Sequence, residues 1–558
     1  MSAAGTGTAA GCPARVGPSG ALMVCGTSSD AGKSQMVAGI CRVLARRGVR
    51  VAPFKGQNMS LNSVVTPDGA EIGRAQWVQA LAAGAPPEAA MNPVLLKPTG
   101  ERESQVVVLG RPWRTLDAVG FHRAKAELVD VVDSALADLR RRYDLVVLEG
   151  AGSAAEINLL DHDLVNLGLA ARSGIPALVV GDIDRGGVFA HLFGTVALLP
   201  DGLSGCIRGF VINKFRGDPA LLGDATSQLE ARCGVPTLGV MPFLSGTALD
   251  AEDSLALSGA VSGTLPGAPA APPEGSDVLD VAVVRFPRIS NFTDLDPLVL
   301  EPGVAVRFVD HPAWLGEPDL VVLPGTKATM ADRRWLRRSG LEAALGRLRT
   351  GGAPPVVLGI CGGYQMLGRR VEDPDGVEDG EPAIDGLGWL DVVTRFERSK
   401  WTAWRRGVLA GGDVPVSGYE IRHGRPDPGP RAVPWFRLEA GGRGDGGTGA
   451  GGAGGRGVAD PVAGRGSGSP DQEEGVRDES AGVLGTSLHG VLESDAFRGD
   501  LLAWVAGRRG KFRAPSAVCF ARARQDRIDR VADACEAHLD LDAVWAIAEG
   551  AAGREGSR

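Results

Sequence analysis

The sequence predicts an α/β protein built from two consecutive parallel-sheet domains. Three observations predict it. Short apolar runs alternate with amphipathic helical stretches along most of the chain, the pattern of parallel strands covered by helices. Two such sets are separated by a stretch rich in Gly, Pro, Ala and Ser at 258–277. Each set also contains an apolar run that enters a glycine-rich turn carrying a side chain of chemical interest. The length of 558 residues suits large domains, and 44% hydrophobic with 23% charged residues supplies globular cores and excludes a wholly disordered chain. A net charge of −8 removes the bulk basic field that nucleic acid would attract, so no nucleic-acid partner is expected. No apolar run reaches the ~18 residues of a membrane span, and no secretory pattern opens the chain, so no membrane partner and a cytoplasmic location are expected. Residues 1–19 read as a disordered tail. The cysteines at 12, 25, 41, 206, 233, 361, 519 and 535 form no CxxC pair, which argues against a zinc ribbon or a disulfide framework. Most of them read as small buried apolar residues.

The first domain, 20–257, has candidate strands Ala21–Cys25, Val49–Phe54, Leu145–Leu148, Ala177–Val180 and Gly209–Ile212. Strands buried on both faces need not alternate polar and apolar residues. Residues 21–34 read ALMVCGTSSDAGKS, an apolar strand, a Gly-rich turn and a helix start. In that order Gly26, Thr27 and Gly32 let backbone amides approach a polyphosphate, Lys33 meets its outer phosphates and the Ser34 hydroxyl ligates Mg²⁺. Five residues separate Gly26 from Gly32, one more than the common phosphate loop, and this variant spacing resembles dethiobiotin synthetase-like nucleoside triphosphatases. Glu149 and Asp182 follow neighbouring strands and are the further Mg²⁺ ligand candidates. Each, taken singly, is equally well a helix cap or a solvated loop acid. Asn213 ends a strand, where its amide can read an adenine edge.

After the linker 258–277, the second domain, 278–510, opens with candidate strands Val281–Val284, Leu320–Leu323 and Val356–Ile360. In VVLGICGGYQMLG, Cys361 stands between strand and helix with glycine close on either side, the setting of a nucleophile elbow. His489, in GTSLHGVLE, is the candidate base. The Gly362 amide and the loop LPGTK, through Gly325, are candidate oxyanion donors. Together these resemble the class I glutamine amidotransferase domains, of flavodoxin-like fold, and imply L-glutamine as a substrate. Such domains carry a glutamate two residues after the histidine. Here Val491 stands there, so a Cys–His dyad is expected, with Glu493 too far along to reach. Residues 441–480, with 14 glycines between 441 and 470, read as a mobile Gly-rich surface insertion. Residues 511–558 read as a C-terminal helical extension.

A phosphate loop fused to a glutaminase suggests an ATP-dependent amidoligase. Seven stretches sharpen it: PFKGQNMSLNS (53–63), GAEIGRAQWVQALAAG (69–84), MNPVLLKP (91–98), LEGAGSAAEINL (148–159), DIDRGGVFAHLFGT (182–195), INKFRGD (212–218) and VRFPRISNFTDLDPL (284–298). In this order they resemble the cobyric acid synthase family of cobalamin-pathway amidotransferases. The resemblance implies ATP and Mg²⁺ as cofactors and adenosylcobyrinic acid a,c-diamide as substrate, amidated at its b, d, e and g carboxylates. Lys55, Gln57, Asn58, Ser60 and Asn62 form a dense polar run after a strand and are candidates for a lip against the corrin rim, or else a plain polar surface loop. The segment GYEIRHG (418–424) departs from the family at Arg422, where histidine is expected, and is read as a domain interface rather than part of the nucleophile's surroundings. The competing readings are a cobyrinic acid a,c-diamide synthase and a partitioning-type ATPase with an inactive glutaminase. The KGQNMSLNS and PRISNFTDLD segments argue against the first, and the intact Cys361 and His489 against the second.

Overall fold

The computed structural model describes residues 20–100, 102–160, 163–247, 249–250, 274–439 and 472–550. The 1–19 tail, 258–273 of the linker, 441–471 of the insertion and 551–558 of the extension lie outside the described residues.

The five strands expected in the first domain exist and are neighbours. The sheet has six strands in the order Thr237–Pro242, Ile207–Phe215, Ala177–Asp182, Gly20–Gly26, Leu145–Glu149 and Val51–Phe54, all parallel. Gly20–Gly26 lies at the centre with every residue buried. Its carboxyl end, like those of its neighbours, faces the glycine turn, which is where an open parallel sheet presents a ligand crevice. The edge strand Thr237–Pro242 was not expected, nor was a small second sheet of Gln57–Met59, Val94–Pro98, Glu103–Val108 and Arg111–Asp117. The hairpin Ser63–Val65 with Glu71–Gly73 stands beside it.

The second domain is built on an eleven-stranded sheet. Its parallel part runs Val304–Val309, Leu279–Val284, Leu320–Leu323, Val356–Ile360 and Val483–Thr486. It continues through antiparallel strands Gln472–Asp478 and Val433–Leu438 to the long ribbon of Val392–Leu409 and Pro415–Pro428. This corrects the extent of the Gly-rich insertion. Residues 472–478 are a strand of the main sheet, and Glu474 accepts from the Thr486 hydroxyl at 2.6 Å and the Ser487 amide at 2.6 Å.

The C-terminal extension is helical at Phe520–His538 and Leu541–Gly550, and it returns to the first domain. A Cβ on Gly39 would lie 2.5 Å from the Cys535 sulfur, so glycine there sets the close approach of Lys33–Arg46 to Phe520–His538. Arg498, fully buried, ion-pairs Glu301 at 2.6 Å, and Arg513 reaches the other oxygen of Glu301 at 2.7 Å. Removing Glu301 would leave the buried Arg513 without its ion pair and cost about 3–5 kcal/mol. No helix among the described residues is long and apolar enough to cross a membrane.

Candidate active site

Cys361 directly follows the buried strand Val356–Ile360, and Gly362–Leu367 begins at the next residue. Its φ is 49° with ψ −107°, a positive-φ conformation rare for a side-chain-bearing residue and worth about 1–3 kcal/mol of strain. Its neighbours explain why the turn is this tight. A Cβ on Gly363 would fall 1.8 Å from the Leu323 carbonyl oxygen, and one on Gly362 2.6 Å from Thr326 Cγ2. The two glycines thus let the nucleophile turn press against the LPGTK loop, the packing an oxyanion crevice requires. On the other wall, a Cβ on Gly325 would lie 2.8 Å from His489 Cε1. Cys361, His489, Gly325 and Gly362 are therefore brought together.

His489 is buried and interacts electrostatically with the Cys361 thiol. Its Nδ1 donates to Asp294 Oδ2 at 2.7 Å, while the Gly490 amide donates to Asp294 Oδ1 at 2.8 Å. The expected dyad is thus corrected to a triad, with Asp294 as the third member. Burial works against a charge on His489, but Asp294 and Cys361 outweigh it and raise its pKa to about 10. The Tyr419 ring stacks on the imidazole at 5.5 Å and 27°. Glu493 belongs elsewhere: it accepts from Arg74 at 2.6 Å and from both terminal nitrogens of Arg524, at 2.9 and 3.0 Å.

The segment 418–424 is both interface and nucleophile surroundings, which corrects the first reading. The Cys361 sulfur lies 3.8 Å from the Ile421 carbonyl, and Tyr419 exchanges backbone hydrogen bonds with His489, each 2.9 Å. Arg422 is held by Glu420 at 2.8 Å. Asn291 donates from one amide nitrogen to Tyr419 Oη at 3.0 Å and to the Ser63 carbonyl of the first domain at 2.6 Å. Lys327, two residues after Gly325, is also near the thiol; burial and Lys97 depress its ammonium to about 8.

Among the other cysteines, Cys25, Cys41 and Cys535 are buried, and burial raises their thiols, Cys535 to about 12. Desolvation without a base leaves them poor nucleophiles. Cys206 and Cys233 are half-buried and Cys519 is exposed, so the small-apolar reading does not extend to them.

At the carboxyl edge of the first sheet, Lys33 is buried and donates to the Ser28 and Gly152 carbonyls at 2.8 and 3.0 Å. Ser34 Oγ donates to Glu149 Oε1 at 2.9 Å. The Thr27 hydroxyl is buried with no hydrogen-bond partner among the described residues. An orphaned hydroxyl, a lysine at the loop and a serine–carboxylate pair fit a nucleotide phosphate with Mg²⁺, since the donor set is hard oxygen. No group of three His, Cys, Asp or Glu side chains gathers as a metal cluster among the described residues.

Several individual expectations need correction. Asp182 is paired with Lys214 at 2.8 Å rather than turned to Ser34. The Asn213 amide donates to the Ala31 carbonyl at 2.9 Å, and a Cβ on Gly32 would strike it at 2.0 Å. Asn213 therefore buttresses the phosphate loop with one of its amide hydrogens. The polar run is not an open lip: Asn58, Ser60 and Asn62 are buried, and only Gln57 is half-exposed. Asn58 donates to Gln76 Oε1 at 2.8 Å, the Ser60 hydroxyl to the Asn62 carbonyl at 3.1 Å, and Asn62 Oδ1 accepts from the Thr293 hydroxyl of the second domain at 3.0 Å. Lys55 ion-pairs Glu149 at 2.9 Å within the phosphate site. Burial opposes ionisation of Glu149, yet Lys55, with Gln79 and Ser34, holds its pKa below the ordinary value.

Neither Asp294 nor Gln79 was singled out from the sequence. Asp294 lies within PRISNFTDLD, but no spacing rule ties a residue nearly two hundred positions upstream to a histidine.

Replacing Asp294 with Asn should lower glutamine hydrolysis by about two to four orders of magnitude, because the carboxylate that fixes the imidazole is lost. The sign of its pH effect follows from the raised histidine. In the native protein the charge on His489 persists up to about 10, so hydrolysis should stay level from neutrality and fall only near that pH. In the Asn variant the fall should move to lower pH. A pH–rate profile checks both, and an unmoved profile would remove Asp294 from the site.

The comparisons with known proteins agree with this geometry. Residues 22–255 match the CobQ/CobB/MinD/ParA nucleotide binding domain, and residues 280–497 the CobB/CobQ-like glutamine amidotransferase domain. The cobyric acid synthase of Frankia casuarinae is 50% identical, covering 94% of this chain and 96% of that one. That of Saccharopolyspora erythraea is 50% identical over 95% of each chain. That of Streptomyces coelicolor is 48% identical, over 96% of this chain and 97% of its own. With a nucleotide-binding front half, a glutaminase rear half and this likeness along nearly its whole length, the chain belongs to the cobyric acid synthase family of glutamine-dependent amidating ligases.

Proposed function

We infer that the protein amidates the b, d, e and g carboxylates of adenosylcobyrinic acid a,c-diamide in the cytoplasm, using ATP and L-glutamine. The observation that carries this reading is the physical link between its two sites. His489 rests on Asp294; the adjacent Thr293 donates to Asn62; and the segment from Asn58 to Gln79 ends on Glu149 in the phosphate site.

In the rear domain the Cys361 thiolate attacks the glutamine side-chain carbonyl. Amides near Gly325 and Gly362 steady the oxyanion, and His489 gives its Nε2 proton to the departing nitrogen. Ammonia leaves, water attacks the thioester with His489 as base, and glutamate departs. In the front domain Lys33 and the loop amides hold the outer phosphates of ATP. Mg²⁺, held by Ser34 with Glu149 beside it, would neutralise phosphate charge. An oxygen of the corrin carboxylate attacks the γ-phosphorus and ADP leaves. Ammonia then attacks the acyl carbon of the mixed anhydride, the carbon–oxygen bond breaks, phosphate leaves with the electron pair, and nitrogen loses a proton. Lys55 lies where it can pair the carboxylate or the acyl phosphate.

Mass spectrometry of the corrin after incubation with ATP, Mg²⁺ and glutamine tests the reading. Four successive exchanges of OH for NH₂ are expected from the a,c-diamide. Amidation of cobyrinic acid confined to its a and c positions would assign the protein to the earlier step.

A further inference from the structure

The helix Arg74–Ala83 runs between the two sites and carries two buried glutamines, Gln76 and Gln79, with 0% and 1% of their surface exposed. Three residues apart, they share one face of the helix. Each has one polar atom in use. Gln76 Oε1 accepts from Asn58, and Gln79 Nε2 donates to Glu149 Oε2. The other atom of each, Gln76 Nε2 and Gln79 Oε1, has no hydrogen-bond partner among the described residues. An unpaired buried polar atom costs about 1–3 kcal/mol, so two on one helical face point to a missing small polar guest. One orphan is a donor and the other an acceptor.

The surroundings select the guest. At the glutaminase end the backbone amide of Arg74 donates to the Asn62 carbonyl at 3.0 Å, and Asn62 meets Thr293, next to Asp294. At the far end Gln79 touches the carboxylate that also holds Lys55 and Ser34. The helix therefore starts on the residue that bonds the neighbour of Asp294, the partner of His489, and reaches Glu149 beside Lys33 and Ser34 through Gln79.

We propose that Gln76 and Gln79 pass ammonia from the glutaminase to the acyl phosphate. This deepens the functional reading above and rests on it. Neutral ammonia accepts from Gln76 Nε2 through its lone pair and donates to Gln79 Oε1. Ammonium has no lone pair and would leave Gln76 unsatisfied, while neither amide supplies a proton. Glu149, the carboxylate that Gln79 touches, is already paired with Lys55. The passage thus favours the nucleophilic form.

The test is the ratio of glutamate released to amide formed in one reaction of the full-length protein with ATP, Mg²⁺, glutamine and the corrin diamide. The native protein should give close to one glutamate per amide. Gln76→Met keeps the length of the side chain and removes its amide. It should keep glutamine hydrolysis and raise the ratio about 5- to 100-fold, the loss of one buried hydrogen bond converted to rate. Gln76→Asn should raise it less, and decides the matter if the methionine variant does not fold. A native-like ratio in a folded variant overturns the passage, whatever happens to the individual rates. Failure of the native protein to amidate the corrin from glutamine would instead overturn the functional reading.

Discussion

Replacing Cys361 with Ala should abolish synthesis from glutamine, by at least about three orders of magnitude, while synthesis from ammonium salts stays within about twofold. Among the described residues the Cys361 sulfur is the group in the crevice that can form the thioester. Its removal empties a small buried volume beside the Ile421 carbonyl and leaves the Asp294–His489 bond intact. Alanine at φ 49° is strained much as cysteine is, so the turn itself should survive. Measuring corrin amidation with each nitrogen source checks this. Equal loss with both sources would mean that Cys361 does more than release nitrogen from glutamine.

The counterpart is Lys33. Lys33→Ala should remove ATP-dependent amidation with either nitrogen source, by about two to four orders of magnitude, since a buried cation aimed at developing phosphate charge is worth more than one in water. Its Nζ bridges the Ser28 and Gly152 carbonyls, so the lysine also ties the phosphate loop to the segment after the Leu145–Glu149 strand. Glutamine hydrolysis is the control, because the Cys361 site lies in the other domain. Amidation retained in this variant would exclude the 26–34 loop as the phosphate site. Together the two substitutions divide the enzyme: one should lose only its nitrogen supply, the other only its carboxylate activation.

What could be read in the sequence follows from how local the signal is. The central strands are fully buried on both faces, so Ala21–Cys25 or Val356–Ile360 is visible as a plain apolar run. The phosphate loop and the elbow are visible because each packs its chemistry into a few consecutive residues. Asp294 was not visible, because its partner is His489, reached only when two distant loops fold together. The polar run 55–62 misled for a related reason. Asparagines and serines without apolar periodicity look like a surface, yet here they are buried and satisfy one another and the second domain. The strand Gln472–Asp478 was hidden by its letters. DQEEGVRD follows a Gly-rich tract and is mostly charged, but Glu474 is drawn in to bond Thr486 and Ser487. Burial and the nearby Glu420 raise its carboxyl to about 7.

The domain boundary is equally non-local. Arg74 pairs with Asp250 at 2.7 Å and with Glu493; Arg524, from the C-terminal extension, reaches the same two acids. The first domain through Arg74 and Asp250, the second through Glu493 and the extension through Arg524 thus close around one charge group, whose Glu493 lies four residues beyond His489. Such a group is weak evidence for stability, because its desolvation cost offsets much of its attraction. It does fix how the first domain, the glutaminase and the extension meet, and with them the helix that joins the two sites.

Nitrogen freed at Cys361 should be fixed onto a carboxylate activated at Lys33 without release between the two. The most direct measurement supplies glutamine labelled with ¹⁵N in its side-chain amide alongside an equal concentration of unlabelled ammonium, and reads the isotope in the new corrin amides. The new amide nitrogen should be almost wholly ¹⁵N. New amides whose isotope composition matches the mixed pool in solution would contradict it.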